Sequence, residues 1–560
     1  MRRVASCLAA VATAVSVAAC GSPGTPGRVT ADPPTTPETS SPSAPLTGSR
    51  AGQYLVFYAA GRQSEAVAAV RRAGGETTGG DTRLGYLMAQ GDGDAFVHGL
   101  GSDRAIVGVS PDRRIGFAAG RPVAGTFPDE SSITRANPSG EPLAPRQWDM
   151  KMIGADRANT KVPGNRKVLV GVIDTGIDGK HPDIAPNFNR ELSRNFVTDR
   201  PKDENGDTLD GACEVSTCKD PVDQDDDGHG THVASTIASP LNNIGIAGVA
   251  PGVQLVNIRA GQDSGFFFLK PSLDALAYAA DIGVDVVNMS YYVDPWLFNC
   301  AGNKSDSEKE RLEQRAIITG MQRAVDYARG KGVTLISALG NGATDLGKPA
   351  VDKDSPGYPR GSERIRKIDN SCLNVPAETN GVISITSVGP SGRKAIYSDY
   401  GVEQADLAAP GGDSLDGKGG SPTRSILAAA PEAVLRASGK IDRSGKPKTA
   451  DVVRDCSGGT CSYYQYLDGT SMAAPHATGV AALLISRFGK PGTGGVTLAP
   501  ATVEKLLYRT AKRKACPSPR AYAYEVYGEV DTHTCEGGAS KNGFYGRGIV
   551  DAWQAATVKP

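Results

Sequence analysis

The chain carries no net charge. Its 61 basic side chains are matched by 61 acidic ones over 560 residues, which removes the electrostatic case for a nucleic-acid partner. Histidine is scarce, with six in all, and His-Glu-x-x-His does not occur, so a zincin-type centre is excluded. His229 and His232 stand close together but have no identifiable third metal ligand; His232 reads as structural, as does His476. None of the ten cysteines has Cys-x-x-Cys spacing, which argues against a thiolate metal site. After the N-terminus no stretch reaches the ~18 apolar residues of a membrane-spanning helix.

What is present points to export. Arg2 and Arg3 precede a mostly apolar run over 4–19 that ends Val17-Ala18-Ala19-Cys20-Gly21. This reads as a secretory signal over 1–20, with Cys20 where a bacterial lipobox places its lipidated cysteine. An ordinary signal peptide with an incidental Cys20 is the alternative. Residues 21–50 are rich in Pro, Ser, Thr and Gly and read as a disordered tether. Setting aside Cys7 and Cys20 leaves eight cysteines, an even number that suits disulfides in an exported protein. Proximity along the chain pairs Cys213 with Cys218, Cys300 with Cys372, Cys456 with Cys461 and Cys516 with Cys535.

A hydrophobic content of 39% is enough for a globular core, and the length suggests two or more folded units plus tails. Residues 54–58, 84–89 and 105–109 read as strands and 64–73 and 95–100 as helices, a β-α-β-α-β pattern. Proline-rich 120–147 reads as a linker. Beyond it, strands at 168–173, 255–258, 284–289, 333–338 and 382–388 alternate with helices at 272–282, 311–330, 472–486 and 502–510. That alternation predicts an α/β fold with a mainly parallel sheet flanked by helices on both faces. Candidate insertions at 199–227, 294–310, 344–373, 413–466 and 516–542 hold or adjoin all eight cysteines.

Three motifs carry chemistry. Gly469-Thr470-Ser471-Met472-Ala473-Ala474-Pro475-His476 sets a serine at the start of an apolar helix, where unpaired N–H groups and the helix dipole favour an alkoxide. Taken alone, Ser471 is equally a helix N-cap. Asp227-Gly228-His229-Gly230-Thr231-His232 offers a histidine flanked by glycines, which leave room for a substrate backbone. Asp174-Thr175-Gly176 follows the apolar strand at 168–173, at the carboxyl end where ligand-facing residues of such sheets gather. The order Asp174, His229, Ser471 is that of subtilisin, and the chain resembles the subtilase (subtilisin-like) serine protease family over roughly residues 148–556.

That resemblance implies a serine endopeptidase in which Ser471 attacks, His229 is the base and Asp174 orients it. It places Asn341, in Leu339-Gly340-Asn341-Gly342, in the oxyanion hole. It places Ser290, Tyr291, Tyr292 and Gly340 along the bound substrate. Family members commonly continue Ser-x-Gly where this chain has Ser290-Tyr291-Tyr292, so Tyr292 either narrows the pocket or turns outward. The resemblance also implies a propeptide-like inhibitor domain over 51–119, a maturation site within 120–147 and a catalytic domain over 148–560, although 51–119 is also readable as an unrelated small module. No cofactor is expected for the chemistry. Asp203-Glu204-Asn205-Gly206-Asp207, with Glu214 at the twelfth loop position, reads first as an acidic loop and second as a structural calcium site, because Thr208 stands in place of the EF-hand glycine; Asp183 matches a residue that binds calcium in some members of the family. The expected partners are a protein or peptide substrate and, through the lipid anchor before maturation, a membrane; the chain is expected to be a monomer. Two other readings stay open: a dedicated processing protease for one partner, and a catalytically silent binding module.

Overall fold

Leu169–Ile173 is buried at all five positions, the signature of a strand covered on both faces. In the computed structural model, which describes residues 52–112, 140–203, 205–457, 459–526 and 528–559, it lies inside a seven-stranded sheet. The sheet runs Leu407–Pro410, Ile383–Val388, Thr334–Ala338, Val286–Met289, Leu169–Ile173, Gln254–Arg259, Arg194–Asn195, with every neighbouring pair parallel. Parallel neighbours require crossovers, and helices His229–Ala238, Leu269–Ile282 and Glu308–Gly330, each lying between two strands of the sheet along the chain, supply several of them. All five strands expected from the apolar runs are present, within two residues of their expected ends.

The edge strand Leu407–Pro410 was not expected; Leu-Ala-Ala-Pro is too short and too poor in β-branched residues to announce itself. Helix Thr470–Phe488 is buried from Thr470 through Ile485, so it runs through the core beside the sheet rather than over the surface. Among the expected insertions, 413–466 builds a three-stranded sheet (Ile426–Ala429, Ser462–Leu467, Val452–Asp455), and 516–542 a hairpin (Ala521–Val526 with Glu529–Thr534). All four disulfides pair as proximity suggested.

Residues 52–112 form a four-stranded antiparallel sheet with two helices, one strand more than expected. The extra strand, Glu76–Asp81, reads Glu-Thr-Thr-Gly-Gly-Asp and is exposed or half-exposed throughout. It is an edge strand held by backbone pairing to Tyr86–Gly91, and without an apolar face it has no sequence period to detect. This module packs on Glu308–Gly330. Arg323 donates to the carbonyls of Leu84, Gly85 and Tyr58 at 3.2, 2.8 and 2.8 Å, and Arg83 pairs with Asp281 at 2.7 Å.

Cys20, the expected signal and tether, residues 113–119 of the expected propeptide-like segment and residues 120–139 of the expected linker lie outside the described residues. The linker's last residues are packed instead of loose: Glu141 is buried and accepts from Asn243 N at 3.1 Å, and Leu143 N donates to Gly245 O at 2.6 Å.

Candidate active site

Asp174, the residue after strand Leu169–Ile173, is fully buried. Its Oδ1 accepts from Thr175 N at 2.8 Å and from His229 Nδ1 at 2.7 Å. Because a carboxylate brings no hydrogen to this bond, the proton sits on Nδ1 and Nε2 is left as the basic nitrogen. His229 Nε2 is buried without a hydrogen-bond partner. Burial alone would push the imidazole pKa down. The Asp174 carboxylate, with Asp227 and Asp225 behind it, outweighs that and lifts it to about 9.

Glycine 230 was expected to leave space for substrate, but its role is packing. A Cβ there would stand 2.1 Å from the Gly176 carbonyl oxygen, so glycine lets the helix beginning at His229 sit directly on the loop after Asp174. Sequence reasoning missed the clamp that fixes this helix. Asp225 Oδ1 accepts from Thr175 Oγ1 and Gly228 N, and its Oδ2 from Thr231 N and Oγ1, at 2.6–3.0 Å. One side chain thus ties both motifs together while satisfying N–H groups of the helix start. The run Asp225-Asp226-Asp227 ahead of a helix was the available signal.

Ser471 is the second residue of helix Thr470–Phe488, which packs against His229–Ala238. Its hydroxyl donates to the Ser290 carbonyl at 3.3 Å, and Ser290 Oγ donates to the Ser471 carbonyl at 3.0 Å. Asn288 Nδ2 donates to Ser290 Oγ at 2.8 Å, and Thr478 Oγ1 to Asn288 Oδ1 at 2.9 Å. The Ser290 side chain therefore anchors the serine helix rather than facing a ligand. With Ser471 turned to Ser290, no hydrogen bond links it to His229 here; in free enzymes such contacts often tighten only when substrate binds.

Asn341 stands against the same helix start. Its Oδ1 accepts from both Thr470 N and Thr470 Oγ1 at 2.9 Å, which assigns that end of the amide as the acceptor and turns Nδ2, the donor end, the other way. Gly340 N donates to Thr470 Oγ1 at 3.1 Å. Tyr291 belongs to the core: its ring is buried and stacks on Phe267 with centroids 4.2 Å apart, so only its backbone is available to a bound peptide. Tyr292 is half-buried, with its hydroxyl bonded to Asp294.

His232 and His476 are buried and bonded within the fold. His232 Nε2 meets the carbonyls of Ile426 and Gln465, and burial pushes its pKa down to about 3. His476 joins Asp149 at 3.0 Å.

The expected calcium loop does not form as an EF-hand. Asp203 Oδ1 accepts from Asn205 N and Asp207 N of its own turn, while Glu214 lies elsewhere, its carboxylate oxygen within 4.8 Å of oxygens from Asp199, Asp220 and Asp263. The buried Arg259 holds three of these acids, Asp220 at 2.5, Asp263 at 2.7 and Asp199 at 3.1 Å, which offsets one of the four negative charges. Asp183 is buried, with Oδ2 accepting from Ile246 N and Tyr464 OH and Oδ1 unpartnered.

The thermophilic serine proteinase of Bacillus sp. (strain AK1) is 28% identical over 319 residues, covering 57% of this chain and 52% of that protein. The chain thus spans about half the length of that relative. Subtilisin DY of Bacillus licheniformis is 26% identical over 61% of this chain and 85% of its own. The epidermin leader peptide-processing serine protease EpiP of Staphylococcus epidermidis is 27% identical over 62% and 66%. The crystal structure of EpiP from Staphylococcus aureus superposes with a TM-score of 0.57 at 21% identity, over 91% of this chain and 99% of that one, a likeness of fold. The sequence model of the subtilase family matches residues 165–547, more than half of the 560, and the chain belongs to that family.

Proposed function

We propose that this chain is an exported serine endopeptidase that cleaves peptide bonds through an acyl-enzyme. The observation that carries the reading is the buried 2.7 Å bond from His229 Nδ1 to Asp174, which leaves a basic Nε2, on a helix packed against the one that starts at Ser471. Ser471 Oγ attacks the scissile carbonyl and His229 Nε2 takes its proton. The tetrahedral oxyanion takes hydrogen bonds from Asn341 Nδ2 and the Ser471 N–H at the helix start; collapse expels the amine, to which His229 returns the proton. Water, activated by the same imidazole, then releases the acid.

The module at 52–112 acts as a propeptide, docked on helix Glu308–Gly330 through Arg323 and on helix Leu269–Ile282 through Arg83. Cleavage within 120–147 frees the catalytic domain, and an acyl chain on Cys20 anchors the precursor to a membrane. The chain acts as a monomer.

A second reading, cleavage of one dedicated partner, is favoured by the likeness to EpiP, whose name records processing of a leader peptide. A peptide library separates the two: a general protease cuts many sequences, a dedicated one a narrow set. Tyr292→Gly is expected to broaden the accepted side chains at the position before the cut. An unchanged profile means that Tyr292 does not line that pocket.

A structural calcium ion is proposed at the quartet of Asp199, Glu214, Asp220 and Asp263, which would offset the charge that Arg259 leaves uncompensated. Calcium is expected to raise Tm by several degrees over chelator, and Glu214→Gln, at an exposed position, to shrink the gap. Equal Tm in calcium and chelator removes the ion from the account.

A further inference from the structure

The loop carrying Asn341 bends through conformations that side chains resist. Gly340 has φ +130° and Ala343 φ +57°, the latter in the left-handed region that disfavours a residue with a Cβ. Such a turn persists only where its surroundings over-determine it, and here the determinant is a segment remote in sequence, 397–400. Asp399 is buried, with 2% of its surface exposed. Its N–H donates to Gly340 O at 2.9 Å, its Oδ1 accepts from Thr344 N at 2.7 Å, and the Gly342 N–H also faces its carboxyl group. Its Oδ2 occupies the space beside Gly340, where an added Cβ would stand 2.1 Å away. Ala343 N donates to Tyr397 O at 2.8 Å, and Tyr400 N to Thr344 O at 2.9 Å. The loop is therefore held on both sides of Asn341, at Gly340 before it and at Gly342 and Thr344 after it, by one buried aspartate.

We propose that Asp399 is a positioning residue for hydrolysis: by fixing the turn Gly340–Thr344 it sets the Asn341 amide where the oxyanion forms. It touches neither substrate nor reacting atoms and works through Asn341, so the inference rests on the oxyanion reading of Asn341 given above. An oxyanion donor helps only when it is already in place as the charge develops, and a displacement of about 1 Å costs roughly 100-fold in rate. The role has no local sequence signature, because Asp399 follows Asn341 by 58 positions and meets it only through the fold.

The test is a double-mutant cycle on the full chain, read as kcat and KM separately and as affinity for a peptide boronate, whose tetrahedral adduct places an oxygen in the oxyanion site. Asp399→Ala is expected to lower kcat about 10- to 100-fold with KM within about twofold, and to weaken the boronate in proportion. Asp399→Asn keeps an acceptor at Oδ1 and is expected to stay within about threefold of wild type. Asn341→Ala is expected to lose about 100- to 1000-fold, and adding Asp399→Ala to it to cost less than about threefold more, because both act on one donor. Circular dichroism establishes that each variant is folded. If Asp399→Ala does not fold, Asp399→Ser, too short to span to Thr344, carries the same expectation. Wild-type kcat in a folded Asp399→Ala or Asp399→Ser, or a loss of the same size with and without Asn341, overturns the proposal alone. Undiminished kcat in Asn341→Ala overturns the oxyanion reading and this proposal together.

Discussion

The full chain with Ser471→Ala is expected to hydrolyse peptides about 10⁶-fold more slowly than wild type and to lose nothing beyond its signal segment. The size of the loss follows from what the serine does. Without Oγ no acyl-enzyme forms, and His229 has no side-chain nucleophile to activate. What remains is whatever binding and the Asn341 amide offer an attacking water, roughly 10³- to 10⁴-fold over the uncatalysed reaction. The fold should be unaffected, because the hydroxyl's own hydrogen bond, to Ser290 O, is a 3.3 Å contact at the end of a helix anchored separately by Ser290 Oγ and Thr478. Intact mass reads the second half of the expectation: wild type loses the segment up to a point within 120–147, and the variant does not. Equal shortening in both would assign maturation to another protease.

Asp174→Asn is expected to cost about 10⁴-fold in kcat and to move the pH profile. In the wild type the base is neutral His229, whose pKa is raised to about 9, so kcat/KM should climb through neutral pH and level off only in the alkaline range. The amide removes the charge that raises this value, while burial, which lowers it, remains. The acid limb should therefore shift to lower pH even as the plateau falls. Asparagine also offers an N–H as readily as a carbonyl to Nδ1, so the imidazole no longer has a reason to keep its proton on that nitrogen. A profile that keeps its midpoint in Asp174→Asn would contradict the coupling inferred from the 2.7 Å bond.

The parts of this arrangement that were legible in the sequence share a physical property. Strand Leu169–Ile173 is buried at every position and is written as an unbroken apolar run; Ile383–Val388, equally buried, alternates polar residues with Ile and Val but is rich in β-branched side chains. Asp174, His229 and Ser471 sit where a strand ends or a helix begins, at positions that local pattern marks. Pairings set by the fold were not legible. Asp225 clamps Thr175 to Thr231, Asn288 reaches Thr478 across 190 residues, and Asp399 braces the loop of Asn341. Side-chain direction was equally hidden: nothing around Ser290-Tyr291-Tyr292 announces that the first side chain anchors a helix and the second stacks on Phe267. Glu214 was expected to complete a loop from Asp203 by counting positions, but the Cys213–Cys218 disulfide loop carries it toward Asp199 and Asp220 instead. Spacing along a chain predicts a ligand set only when the loop takes the template's shape.

The measurement that bears most directly on the account is the site of covalent labelling by a fluorophosphonate, mapped by peptide mass spectrometry on the active protein and on His229→Ala. The account predicts one adduct per molecule, on Ser471, with loss of hydrolysis in step with labelling and little label in His229→Ala. Active protein that keeps hydrolysing peptides while Ser471 stays unlabelled, or labelling on another residue, would contradict it.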